Sequence, residues 1–147
     1  MSIDVLVSET MRAPRHAVSD FVMDNRNDTA WIGGISESTL VGEEPLGVGS
    51  DVRRVASFMG RRIVYVNRVT AIEPGRRLEM RSIEAPFPMQ VTYAFEGDDG
   101  EVQVSVRVQG EPATLYKVAG PLLARQVRRS VANDLRTLKA LMESASR

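Results

Sequence analysis

The sequence predicts an α+β domain: seven antiparallel strands packed against one long C-terminal helix, with two short helices between the first and second strands. Three observations predict it. Between residues 35 and 109, short β-rich runs are separated at fairly even intervals by Gly, Pro and Asp clusters. In the last third, apolar residues recur at spacings of three and four. A sheet with one apolar face and a helix with one apolar stripe bury those faces on each other.

The elements follow in order. Ile3 to Met11 mixes β-branched residues with Ser, Glu and Thr and reads as a first strand that ends before Ala13-Pro14. Pro is suited to a helix's first position, so Pro14 to about Met23 reads as a short helix carrying Val18, Phe21 and Val22 on one side. The segment from Asp24 to Asp28 is too polar for core, and a second short helix or turn is expected there to point the sole tryptophan, Trp31, inward.

Six further strands are expected at Ile35 to Val41, Ser50 to Phe58, Arg62 to Ile72, Leu78 to Ile83, Met89 to Phe95 and Glu101 to Gln109. The last is the clearest. Val102, Val104, Val106 and Val108 alternate with Gln103, Ser105, Arg107 and Gln109, which gives one dry and one wet face. The long helix places Leu123, Val127, Val131, Leu135, Leu138 and Met142 on one side, with Arg125, Arg129, Arg136 and Glu143 opposite. Gly120-Pro121 marks its start or a kink, and Thr114 to Ala119 is expected to add a turn. This order is the helix-grip arrangement: a seven-stranded curved antiparallel sheet wrapped around a long C-terminal helix.

No repeat, low-complexity tract or linker interrupts the 147 residues, so residues 1–147 are expected to form a single domain. Lys plus Arg and Asp plus Glu are 19 each, so no net field gathers nucleic acid or an anionic surface. The absence of cysteine removes disulfides, thiol nucleophiles and thiolate metal sites. His16 is the only histidine and sits beside Arg12 and Arg15 in the first helix, where a solvated role is expected and no metal site is implied. No signal-peptide pattern or membrane-spanning run is found, and a cytoplasmic location is expected. Gly47-Val48-Gly49 lacks the third glycine and following helix of a dinucleotide fingerprint, phosphate loops and nucleophile elbows are absent, and no cofactor is expected.

Taken together, Met11 to Pro14 with Val18 and Phe21, Trp31, Gly47 to Gly49, Arg68 to Leu78, Val91 to Phe95 and Asp134 to Lys139 resemble the START/Bet v 1-like (SRPBCC) superfamily, and within it the polyketide cyclase/dehydrase-like group. The resemblance spans nearly the whole chain. It implies a deep cavity between sheet and helix that takes lipids, polyketides or similar apolar molecules. It implies no single chemistry, because fold and function separate in such superfamilies.

A cavity in this fold is lined by inward strand positions and by the helix. Alternation puts Tyr65 and Asn67 on one face with Ile63 and Val69, and an amide among apolar neighbours needs a partner that a ligand can supply. Trp31, Phe58, Met80, Tyr93, Phe95, Tyr116 and Leu123 join them as expected ligand contacts, the aromatic and Met side chains making adaptable apolar walls. Glu9 shares a face with Val5 and Val7 but is expected to be solvated near its strand end. The arginine pairs at 53-54, 61-62, 76-77 and 128-129 read as solvated surface. The leading functional reading is a protein that binds an apolar small molecule. A second is a polyketide cyclase or dehydratase in which a Tyr, Asn or Arg, with Arg107 one candidate, assists proton transfer. A third is a homodimeric protein-interaction module, which predicts an exposed apolar patch in place of a roomy cavity.

Overall fold

The computed structural model describes residues 2–111 and 119–145. The elements are β1 (Ile3–Met11), α1 (Arg15–Val22), a 3₁₀ turn (Asn25–Asn27), α2 (Asp28–Trp31), β2 (Ile35–Val41), β3 (Asp51–Phe58), β4 (Arg61–Glu73), β5 (Arg77–Glu84), β6 (Met89–Gly97), β7 (Val102–Gly110) and α3 (Gly120–Ala145). The seven strands form one antiparallel sheet in the order β1-β7-β6-β5-β4-β3-β2. Strands β2 to β7 are a meander, and β1 closes onto the last of them with Ile3 opposite Gly110 and Met11 opposite Val102. The helix-grip expectation holds. The expected turn at Thr114 to Ala119 lies largely outside the described residues.

Turn residues set the strand ends. In the β6–β7 hairpin, the Asp98 side chain accepts the backbone N–H groups of Gly100 and Glu101 at 2.9 and 3.1 Å, and the Asp98 N–H donates to the Glu101 carbonyl at 2.9 Å. Gly97 enters that turn at φ 142°, where an added Cβ would collide with the Glu101 carbonyl oxygen, so only glycine fits. Strand bounds differ from the sequence reading by two residues at most. Pro14 stands one place earlier than expected: it caps α1 at φ −63° and ψ 135°, with extended backbone before the first helical residue.

Irregular pairing bends the sheet. Register shifts interrupt β2 at Ile35/Glu37 and β4 at Val66/Asn67 and Val69/Ala71, and bulges of this kind increase local twist and curvature. On the concave face, Met11, Val102, Val104, Leu78, Met80 and Phe95 meet Leu135, Leu138 and Met142 of α3 and Val18 and Val22 of α1 in one cluster. Leu135 and Leu138 are fully buried, each contributing roughly 1.5–3 kcal/mol of transfer free energy. Glu143, near the end of the helix, accepts the Arg12 N–H at 2.9 Å, and Lys139 meets Glu9 at 3.6 Å with both side chains about a third exposed.

Two expectations are corrected. The segment from Asp24 to Asp28 is partly core, because Asn25 and Asp28 are buried with partners from neighbouring strands. Arg54 does not share the solvated surface of Arg53: it is 4% exposed and points inward. Removing a core contact of α3 tests this packing. Leu135→Ala is expected to cost about 2–5 kcal/mol in urea-induced unfolding, the range for a cavity left beneath a fully buried leucine.

Candidate functional site

Between the concave face and the N-terminal half of α3 lies a cavity of about 200 Å³. Period-two alternation supplies its walls: Arg54, Ala56 and Phe58 from β3, Ile63, Tyr65 and Asn67 from β4, Val91 and Tyr93 from β6, and Val106 and Val108 from β7. Ile3 of β1, Ile35 of β2, Trp31 of α2 and Val127, Val131 and Asp134 of α3 add to it. The wall is mainly apolar with a few polar groups, the usual character of a small-molecule site.

A buried charge pair anchors one side. Arg54 Nε and Nη2 both donate to Asp28 Oδ2, at 3.1 and 2.9 Å, and the Ser38 hydroxyl donates to the same oxygen at 2.6 Å. The third arm of the guanidinium, Nη1, lies 3.4 Å from the Tyr93 hydroxyl. Side-chain exposures of 5% and 2% place this pair away from water. Burial opposes the charge on Arg54, but Tyr93 and Asp28 facing it hold its pKa well above the ordinary value. Burial likewise pushes the Tyr93 phenol up to about 12, against the pull of Arg54, so it stays a neutral hydroxyl at physiological pH. Trp31 meets the Tyr93 ring edge-on, with centroids 5.8 Å apart and planes at 66°.

On the opposite wall, Asp134 Oδ1 accepts the Gly33 N–H at 2.9 Å and ties the α2–β2 connection to α3. Gly34 beside it runs against β3: the Ser57 N–H donates to its carbonyl at 2.8 Å, and a Cβ there would sit 3.0 Å from the Ser57 carbonyl. Burial raises the Asp134 carboxyl from 3.8 to about 6, with the Gly33 hydrogen bond offsetting part of the rise. Two deeply buried wall atoms have no hydrogen-bond partner among the described residues: Asn67 Oδ1 and Trp31 Nε1.

Of the side chains expected to line a cavity, Trp31, Phe58, Tyr65, Asn67 and Tyr93 are brought together on its wall. Met80 and Phe95 face the same side of the sheet, but α1 and the C-terminal half of α3 cover them and they sit in solid core. Leu123 is also off the wall, packed with Ile3 against Phe58, Phe87 and Val127. Tyr116 lies outside the described residues. Arg107 points to the convex side, where it pairs with Asp4 at 2.6 Å with both side chains about half exposed, so it is remote from the cavity. His16 is exposed on α1, and among the described residues no cluster of His, Cys, Asp and Glu suits a metal ion. Asp28, Arg54 and Asp134 were not among the expected site residues. The signal for Arg54 was its alternation with Val52 and Ala56, and for Asp134 its place between Val131 and Leu135 on the apolar stripe.

A curved seven-stranded antiparallel sheet gripping one long C-terminal helix is the helix-grip fold, and comparison with known proteins agrees. The family described as polyketide cyclase/dehydrase and lipid transport matches residues 2–143. The chain belongs to that family. Its fold is similar to that of a Thermus thermophilus protein, at 18% identity and TM-score 0.81 over 99% of this chain and 100% of that one. It is equally similar to the Zhui aromatase/cyclase from a Streptomyces species, at 19% identity and TM-score 0.80 over 100% and 97% of the two chains. A START superfamily protein from Mycobacterium smegmatis follows at 15% identity and TM-score 0.80, covering 97% and 98%. No curated protein matches at the level of sequence.

Two outcomes test this geometry. Asp28→Ala strands a buried guanidinium and is expected to cost about 3–5 kcal/mol in chemical denaturation, whereas the double replacement Asp28→Val with Arg54→Met is expected to cost less than Asp28→Ala alone. The Asp134 prediction turns on pH. Its folded pKa of about 6 exceeds the unfolded 3.8, so its contribution to stability is fully present below pH 3.8 and is lost as pH rises through 6. Asp134→Asn keeps the acceptor for Gly33 and is expected to be about 1–2 kcal/mol more stable than the parent at pH 7.5, a figure reduced for partial solvent exposure, and equal to it near pH 3.5.

Proposed function

We propose that the chain binds an apolar small molecule in the cavity between the sheet and α3. The observation that carries this reading is the wall itself: apolar side chains of six strands and two helices converge on one space, with a handful of polar atoms at fixed points. A carrier or sensor needs no more than that. The interaction-module reading has less support, because the large exposed apolar residues are dispersed: Leu6 and Val41 lie on the two opposite edge strands, and Leu122 and Leu141 near opposite ends of α3. Among the described residues no helix is long and apolar enough to cross a membrane.

A second reading, a cyclase- or dehydratase-like enzyme, is favoured by one specific observation. Asp134 is an ionisable group on the cavity wall whose pKa, about 6, suits proton transfer near neutral pH. Arg107, the candidate suggested by sequence, is on the wrong side of the sheet.

Native mass spectrometry of protein purified without added ligand, followed by denaturing extraction, is expected to reveal an apolar passenger. Ala56→Phe, which fills the cavity from β3, is expected to lose that passenger while retaining the parent's circular dichroism. Retention of the passenger by a folded Ala56→Phe protein would place the binding site elsewhere.

A further inference from the structure

We infer that the cavity takes a compact, electrically neutral ring compound bearing a hydroxyl, with Asn67 and Trp31 as its polar contacts. The inference rests on the binding reading above and narrows it in three ways: size, charge and hydrogen bonding.

Size comes first. An apolar cavity of about 150 Å³ holds benzene, so about 200 Å³ suits a molecule of roughly eight to twelve non-hydrogen atoms. Sterols and diacyl lipids are far larger. Charge comes next. The charged wall groups among the described residues are Arg54 and Asp134. Two arms of Arg54 are committed to Asp28 and the third faces Tyr93, so no cation is left to neutralise an entering anion. Asp134 would repel one. A carboxylate ligand would therefore enter a low-dielectric space without a counter-charge, at a large desolvation cost.

Hydrogen bonding names the functional group. Asn67 is 1% exposed and Trp31 2%, both line the cavity, and Asn67 Oδ1 and Trp31 Nε1 lack partners among the described residues. Buried polar atoms are nearly always satisfied, and leaving one unmet is costly. An acceptor and a donor on the wall ask for a ligand hydroxyl that donates to the amide and a ligand oxygen that accepts from the indole. Turning the Asn67 amide exchanges its donor and acceptor, and a hydroxyl pairs with either. The indole N–H donates in one direction only.

Three probes on one skeleton separate these elements: 2-naphthol, naphthalene and 2-naphthoate, titrated calorimetrically into the wild-type chain at pH 7.5. The expected order is 2-naphthol about tenfold tighter than naphthalene, with 2-naphthoate at least tenfold weaker than 2-naphthol. Asn67→Leu is expected to erase the preference for 2-naphthol while naphthalene binds as well or better. Equal affinities for 2-naphthol and naphthalene in the wild type would overturn the hydroxyl assignment and leave the apolar-cavity function standing. Tightest binding of 2-naphthoate would overturn the neutrality. If none of the three binds while mass spectrometry reveals a larger passenger, the size limit fails but the function does not. If none binds and no passenger is found, both fail.

Discussion

A seven-stranded sheet at the usual strand spacing is about 29 Å across, whereas a 26-residue helix is about 39 Å long and only about 10 Å wide. One helix therefore cannot cover the apolar face of so broad a sheet. The molecule meets this mismatch in two ways. Bulges in β2 and β4 curl the sheet inward, and α1 with α2 covers part of the remainder. Where α3 descends onto Met11, Val102 and Val104, the core closes completely. Toward the other end of the helix the walls stand apart, and the space between them is the cavity. The site is thus a consequence of unequal dimensions, with ligand chemistry entering through the few polar groups placed on its wall.

The Asp28–Arg54 pair is costly in isolation, since both charges leave water. Its geometry offsets that cost by supplying hydrogen bonds to most of the polar groups involved: two from the guanidinium and one from Ser38 converge on one carboxylate oxygen, and Tyr93 closes the far side. The pair also links elements that the hydrophobic effect alone would let slide. Asp28 opens α2, Ser38 lies on β2, Arg54 on β3 and Tyr93 on β6, so a directional network fixes the short helix carrying Trp31 against the sheet. Non-directional burial of the indole could be achieved in several orientations; burial edge-on to Tyr93 needs this anchor.

Much of the fold was legible because its signals are local. The valines of β7, the turn at Gly97 to Gly100 and the three-four spacing of α3 each specify an element without reference to the rest of the chain. Alternation also placed Tyr65 and Asn67 correctly on the inner face. Two kinds of information were hidden. Charged residues are solvated by default, so Arg54 and Asp28 read as surface until each is seen to supply the other's partner across 26 positions of sequence. The division of the inner face into packed core and open cavity was hidden too: Met80 and Phe95 follow the same inward alternation as Tyr93, and only the docking of α1 and α3 decides which is covered.

The pairing of β1 with β7 gives the chain a particular folding problem. Ile3 finds its partner at Gly110, and α3 packs on β1 as well, so the strand that precedes the meander is held by the strand that ends it and the helix that follows it. The meander from β2 to β7 can zip through short hairpins, but the sheet cannot close until both distant segments are present, and loop closure over such a span is slow relative to local pairing. A partly synthesised chain therefore carries the apolar strand Ile3–Met11 without its mate. Its outward-facing Asp4, Ser8 and Thr10, interrupted only by Leu6, then give that strand a mostly polar side and limit its tendency to pair with another chain during the wait.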